Sequence, residues 1–278
     1  MREFPSLSPK EFGEIEAKVR AKLGEKLKTH RVLREEVLEL IQQEATLLKY
    51  PIKDNELCAF VCKKKDRVFV YINTFIPREK QVFAAAHELY HIWYDQDKLN
   101  QTEILNDQVL ENKTDDINEL KANLFAALLL VPAEVLNNEI ISRGIQKDSL
   151  KIEDIVRLMA LFYVPFKTIV RRLFEIEFID DKKMREFLTV PDRDPQAGVM
   201  LVRKRLQLND STQDRTNEVF FEKLVENAIL AYDKEIINER KLRNILSLVN
   251  ESPETMQIVE SGGEDEWDSI MGDYDGDD

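Results

Sequence analysis

The sequence predicts an α+β fold, mainly helical around a small β-sheet, with a helical region completing its C-terminal part. Three observations predict it. Apolar residues recur at three-to-four spacing through most of the chain, the period of an amphipathic helix. Between Glu56 and Ile72 the pattern changes to that of strands. The composition, 43% hydrophobic and 33% charged over 278 residues, is that of a globular chain with one full core and a second, smaller unit. The expected division is 1–50, an N-terminal helical segment; 51–180, the domain holding the sheet; 181–258, a helical C-terminal region; and 259–278, an acidic tail.

Residues 11–50 read as helix, with Phe12, Ile15, Val19 and Leu23, then Val32, Leu33, Val37, Leu40 and Ile41 on one face. Gly24 and the basic stretch after it divide the run in two. His30, among Lys28, Thr29 and Arg31, reads as a solvated surface residue. Leu57 to Val61 and Val68 to Ile72 read as two strands joined by the charged turn Lys63 to Asp66. Because Val68, Val70 and Ile72 alternate with Phe69 and Tyr71, the second strand is apolar on both faces. It is expected either in a sheet covered on both sides or at an edge along a groove. Cys58 and Cys62 lie about 13 Å apart in an extended strand, beyond the ~7 Å that a disulfide spans, so both are expected as buried thiols in a reducing compartment.

Pro77 and Glu79 suit the first turn of a helix running to about Tyr94. It carries Ala-Ala-Ala-His-Glu-Leu-Tyr-His-Ile-Trp, in which His87, Glu88 and His91 spell HExxH. The chain holds three histidines and two of them stand here. Residues i and i+4 of a helix share a face, so both imidazoles can reach one metal ion with Glu88 beside it. Two imidazoles and one further ligand leave a fourth tetrahedral position for water, whose pKa zinc lowers to about 7. Glu88 is placed to take a proton there and pass it to a leaving amine. Zn2+ is therefore the expected cofactor.

Asp95 to Asp116 is polar and acidic, and reads either as a lid or specificity loop or as a solvated connection. The next helical run, Glu119 to Pro132, has Leu120, Leu124, Leu128 and Val131 in one apolar stripe and Glu119 with Asn123 on another face. Glu119 is the candidate third ligand and Asn123 its candidate support; the alternative is that Glu119 only favours a helix N-terminus. Small Ala122, Ala126 and Ala127 permit close approach of a neighbouring helix.

A helix over 133–142 should follow, then two over 152–162 and 166–176 around a Tyr-Val-Pro turn. That pair reads as a helix-turn-helix whose second member carries Lys167, Arg171 and Arg172. Direct nucleic-acid binding is disfavoured because the turn lacks its usual Gly and the net charge is −13. Pro191 and Pro195 mark a boundary within the charged stretch 180–213, where Met200 to Leu208 supplies a short strand or helix. Thr216 or Asn217 is expected to cap a run through Tyr232, with a last helix from about Asn238 to Val249.

From Glu260 to Asp278 there are nine acidic residues and no Lys or Arg, which leaves −4 for the rest of the chain. This tail should be disordered and solvated; Trp267, Ile270 and Met271 at helical spacing also allow it to fold onto a groove. No run of eighteen apolar residues occurs, and Met-Arg-Glu-Phe-Pro is not the start of a signal peptide, so a soluble cytoplasmic protein without membrane contact is expected.

Taken together, "VYIN" before the metal helix, "FAAAHELYH" on it and "ELKANLFAALLLVP" after it resemble the ImmA/IrrE family of metallo-endopeptidases. The resemblance covers Val68 to Pro132 strongly and later helices weakly. It implies a zincin-like domain with His87, His91 and Glu119 as metal ligands and Glu88 as general base. It also implies a transcriptional regulator as protein substrate, often a helix-turn-helix repressor, in stress response or mobile-element control. Tyr90 departs from the HELGH usual in the family, which bears on how open the cleft is, and Lys80 stands where Arg is common. The competing reading is a regulatory protein that keeps the metal centre but controls its partner by binding, without turnover.

Overall fold

In the computed structural model residues 7–24, 31–99 and 103–258 are described. His30 and the acidic tail lie outside them. The chain forms two compact units, Met1–Glu218 and Val219–Asp278.

The first unit opens with α1 (Pro9–Lys22). Ser8 and Glu11 cap it reciprocally, each side chain bonding the other's backbone N–H, and Pro9 takes the first helical position. Helix α2 (Glu36–Glu44) follows, and then β1 (Thr46–Tyr50). The expected helix thus stops before residue 50. Ala45 turns extended, and Thr46 to Tyr50 pairs in parallel with β3 (Arg67–Asn73), Leu47 facing Val70. Ladder pairing outweighs the helical period of Leu40, Ile41, Leu47 and Leu48.

Strand β2 (Leu57–Lys64) is antiparallel to β3 and also pairs with β4 (Glu103–Asn106), so the order in this unit is β4-β2-β3-β1. The apolar second strand is interior, and the outer strand on the β2 side is β4, which lies within the stretch expected to be loop. At the end of β3, buried Asn73 accepts from the N–H groups of Ile52 and Phe75 and donates to the carbonyls of Asp54 and Leu57. All four bonds of one amide are met, which fixes the chain entering and leaving the sheet.

The central helix α3 (Arg78–Tyr94) packs on β2 and β3 with one face and on α5 (Ile117–Leu130) with another, and α1 lies on α5. Phe125 of α5 is ringed by Tyr90, Trp93 and Tyr94 of α3 at centroid distances of 5.7, 5.9 and 5.9 Å. Lys18 of α1 stands over Tyr90 and Tyr94. These tilted and edge contacts hold α3 and α5 side by side. Between α3 and α5 lie a short 3-10 turn, β4 and α4 (Asp107–Leu110), so this connection is built, not merely solvated.

Helices α6 (Ala133–Ser142), α7 (Ile152–Phe162) and α8 (Phe166–Glu175) follow, with Tyr163 in the left-handed conformation where the turn would usually have Gly. Helices α9 (Asp181–Leu188) and α10 (Gly198–Arg205) flank the segment containing Pro191 and Pro195. Gly198 closes it: φ is 54°, and a Cβ there would meet the Pro191 carbonyl oxygen at 2.0 Å.

The helix expected from residue 217 begins later. Asn217, near the end of the first unit, has φ 48° and gives its N–H to the Thr74 carbonyl. In the second unit the two-residue strand β5 (Phe220–Phe221) precedes α11 (Leu224–Asp233). Asn238 caps α12 (Glu239–Leu246) by accepting from the Lys241 N–H. Ala228, Leu242 and Leu246 make the core of this unit. No single helix among the described residues is long and apolar enough to cross a membrane; α5 and α6 pass such a test only as a pair bent by 48°.

Candidate metal centre

The α3 period places His87, Glu88 and His91 on the cleft side of the helix, and the first turn of α5 brings Glu119 across from them. His87 Nε2 lies 3.0 Å from His91 Nε2 and 3.0 Å from Glu119 Oε2, and His91 Nε2 lies 3.6 Å from Glu119 Oε1. All three residues are at least nine-tenths buried.

The hydrogen bonds behind the rings show which ring nitrogens donate. Asn123 spends its amide nitrogen on Val109 O and Asn112 Oδ1, both at 2.6 Å, so the atom 2.8 Å from His87 Nδ1 is an oxygen that accepts. His91 Nδ1 lies 3.1 Å from Asp95 Oδ2, which also accepts from Asn118 Nδ2. Burial acts to raise the Asp95 carboxyl, but the hydrogen bonds from His91 and Asn118 outweigh it and hold the pKa below its ordinary value. Each imidazole therefore donates from Nδ1 and turns its Nε2 to the other ring and to a carboxylate.

Such a convergence of ligand atoms in a buried position is what a cation site requires. The fit to a divalent ion is close. With ligand distances of about 2.0–2.1 Å, the edge of a tetrahedron is about 3.4 Å, and the three observed separations run from 3.0 to 3.6 Å. His87, His91 and Glu119 could hold a metal ion.

Glu88, 2% exposed, lines the same cleft. The cavity measures about 300 Å³; Leu99, Ile104, Leu105 and Val109 form its apolar wall, and Asp95, Lys98 and Asp116 its polar rim. Tyr90 is not on it. Its ring is buried against Phe125, Tyr94 and the edge of His91, so replacing the usual Gly does not narrow the cleft. Lys80 faces Asp107 Oδ1 at 2.5 Å, and Arg193 binds the other oxygen of the same carboxylate. That pairing fixes α4, whose Val109 carbonyl holds Asn123.

The structure thus gathers all four site residues singled out in the sequence, together with Asn123. Sequence reasoning missed Asp95, although it stands four residues after His91, the spacing of one helical turn. Asn112 and Val109 carried no signal, because their part is played by backbone and by loop geometry. The basic side chains of α8 are committed inward: Lys167 to Glu111 and Asp192, Arg171 to the Glu111 carbonyl, and buried Arg172 to the Val131 carbonyl and Glu175.

Residues 46–174 match the peptidase family described as the IrrE N-terminal-like domain. No curated protein matches the chain in sequence. A solved Mycobacterium tuberculosis transcriptional regulator is similar with a TM-score of 0.36 and 15% identity, over 60% of this chain and 47% of that one. The chain spans a little under half the length of that regulator, and so slight a likeness says nothing about activity or partners.

Proposed function

On the premise that residues 46–174 form a domain of the IrrE N-terminal-like peptidase family, we propose that the chain is a zinc-dependent endopeptidase acting on a transcriptional regulator. One observation carries the reading: three buried electron-pair donors, from His87, His91 and Glu119, converge beside the buried carboxyl of Glu88 in an open cleft. Two imidazoles and a carboxylate with a position left open suit catalytic zinc, though such a set tolerates other divalent ions.

When bound, the ion would supply a Lewis acid for the scissile carbonyl. The chain's own residues do the rest. Asn123 and Asp95 hold the Nδ1 protons, so both Nε2 atoms stay available. Glu88 takes a proton from the attacking water on a carboxylate oxygen and returns it to the departing nitrogen. The apolar wall of Leu99, Ile104, Leu105 and Val109 receives substrate side chains and excludes water. Ile104 lies on β4, the outer strand on this side, so an extended peptide can add to the sheet there.

A helix-turn-helix repressor is the substrate class that the family resemblance implies. A basic DNA-binding partner also complements a chain of net charge −13. The free thiols Cys58 and Cys62 fit a reducing cell interior.

The test is a survey of newly formed protein N-termini in cells making the wild-type chain or Glu88→Gln at equal level. Termini found only with wild type establish proteolysis and identify the substrate. A Glu88→Gln chain that still relieves repression in full would instead make this a regulator that acts by binding.

A further inference from the structure

A second cavity, about 490 Å³, lies on the far side of α4 and α5 from the metal cleft. It falls within the ~300–1,000 Å³ typical of small-molecule sites, whereas native interiors keep few voids larger than a water molecule. Phe12, Phe83, Leu120, Leu124, Phe174 and Met184 make its apolar wall, and Arg171, Glu175, Asp181 and Arg185 are among its polar lining.

One cation in that wall, Arg171, has Glu175 and Glu111 as electrostatic neighbours but closes no ion pair with either among the described residues. Glu175 is engaged by Arg172 and Asp181 by Arg185, while Arg171 gives Nη2 to the Glu111 carbonyl at 2.7 Å and, among the described residues, forms no salt bridge. Burial, its first and largest influence, pushes the Arg171 guanidinium below its ordinary pKa. An anion brought to it would relieve that cost. A cavity that sets an apolar wall beside a guanidinium without an ion pair has the chemistry of a site for a chain with a charged end.

The partition between the two cavities is thin and shared. On α4, Val109 lines the metal cleft and its neighbour Leu110 lines the second cavity. Asn112, in the left-handed conformation just after α4, and Asn123 of α5 also line the second cavity. Asn123 Oδ1 accepts the hydrogen bond from His87 Nδ1, and Asn112 Oδ1 accepts from Asn123.

We infer that this second cavity is a regulatory site for a small amphiphilic carboxylate, an acyl chain lying along the apolar wall with its head on Arg171, and that its occupancy is felt at His87 through Asn112 and Asn123. The inference uses the metal centre but does not depend on the chain being a peptidase.

The test uses the full metal-free chain, titrated calorimetrically with sodium decanoate below micelle formation and, separately, with decanol. One decanoate should bind per chain. Arg171→Met should weaken decanoate about tenfold or more and leave decanol unchanged, since only the carboxylate meets the guanidinium. Ala127→Phe, which fills the cavity, or Met184→Trp at the side of α9 should abolish both; the second variant serves if the first fails to fold. Decanoate should also shift zinc affinity, read by chelator competition, at least about threefold, and the shift should vanish in Met184→Trp. No saturable decanoate binding, equal binding by both filled variants, or binding only after removal of residues 1–6 would overturn the proposal. The last outcome would give the cavity to the chain's own N-terminal segment. A zinc affinity indifferent to decanoate would overturn its regulatory part.

Discussion

His87 Nδ1 lies 2.8 Å from Asn123 Oδ1, and this one hydrogen bond joins α3 to α5 while deciding which ring nitrogen faces the cleft. The amide cannot turn over without losing its two donations to Val109 and Asn112. Asn123→Leu keeps the volume of the side chain and removes the acceptor. Its metal affinity should fall about 10–100-fold with the circular dichroism unchanged. Chelator competition measures it, and wild-type affinity would mean that Asn123 does not set the His87 tautomer.

Glu119 is the one metal-binding candidate on α5, so its removal leaves two donors on a single helix. Glu119→Ala should lose zinc to a chelator that the wild type resists, while Glu88→Gln retains it. Retention by Glu119→Ala would place the third ligand elsewhere. The two variants separate holding the ion from moving the proton: Glu88→Gln should lower turnover of the identified substrate by about 10²–10⁴-fold.

The candidate metal site was legible in the sequence because its information is local. His87, Glu88 and His91 sit within five residues on a helix whose period fixes their direction, and Glu119 with Asn123 repeats that spacing on α5. Their hydrogen-bonded support was less legible. Asp95 could be found from its i+4 relation to His91, but Val109 contributes a carbonyl, and no side-chain pattern announces a carbonyl. Thr46 to Tyr50 was misread because its helical period continues that of α2, and only the parallel partner β3, some twenty residues on, decides for strand. The same long-range dependence hid β4 in a stretch whose polarity alone suggests a loop.

Arg172 is 2% exposed, with its guanidinium on the Val131 carbonyl and on Glu175. Burial raises the Glu175 carboxyl despite Arg172 and Arg171 beside it. Arg172→Met strands that carboxylate and should cost about 3–5 kcal/mol in denaturant unfolding. Adding Glu175→Gln should recover part of the loss. A single variant as stable as wild type would show that the pair contributes nothing net.

Glu79 sets two effects against each other at the first turn of α3. The helix N-terminus favours a negative charge there, but the carboxyl is 5% exposed, and burial lifts its pKa from 4.5 to about 8 against the hydrogen bond from Gln213 and the charges of Arg203 and Lys80. Burial wins because no cation forms a salt bridge with Glu79 among the described residues. The folded state then holds a proton that the unfolded chain releases near pH 4.5. Its stabilising share is complete below that pH, declines as pH rises, and is gone once pH has passed through about 8. A shift of this size corresponds to roughly 5 kcal/mol at most. Glu79→Gln has no proton to lose and keeps an oxygen for the Gln213 amide. It should therefore match wild type near pH 4.5 and exceed it by roughly 2–4 kcal/mol at pH 8. Urea midpoints across that interval measure the difference. Parallel curves for the two proteins would mean that Glu79 already ionises in the fold at its ordinary pKa, with solvent or a cation reaching it.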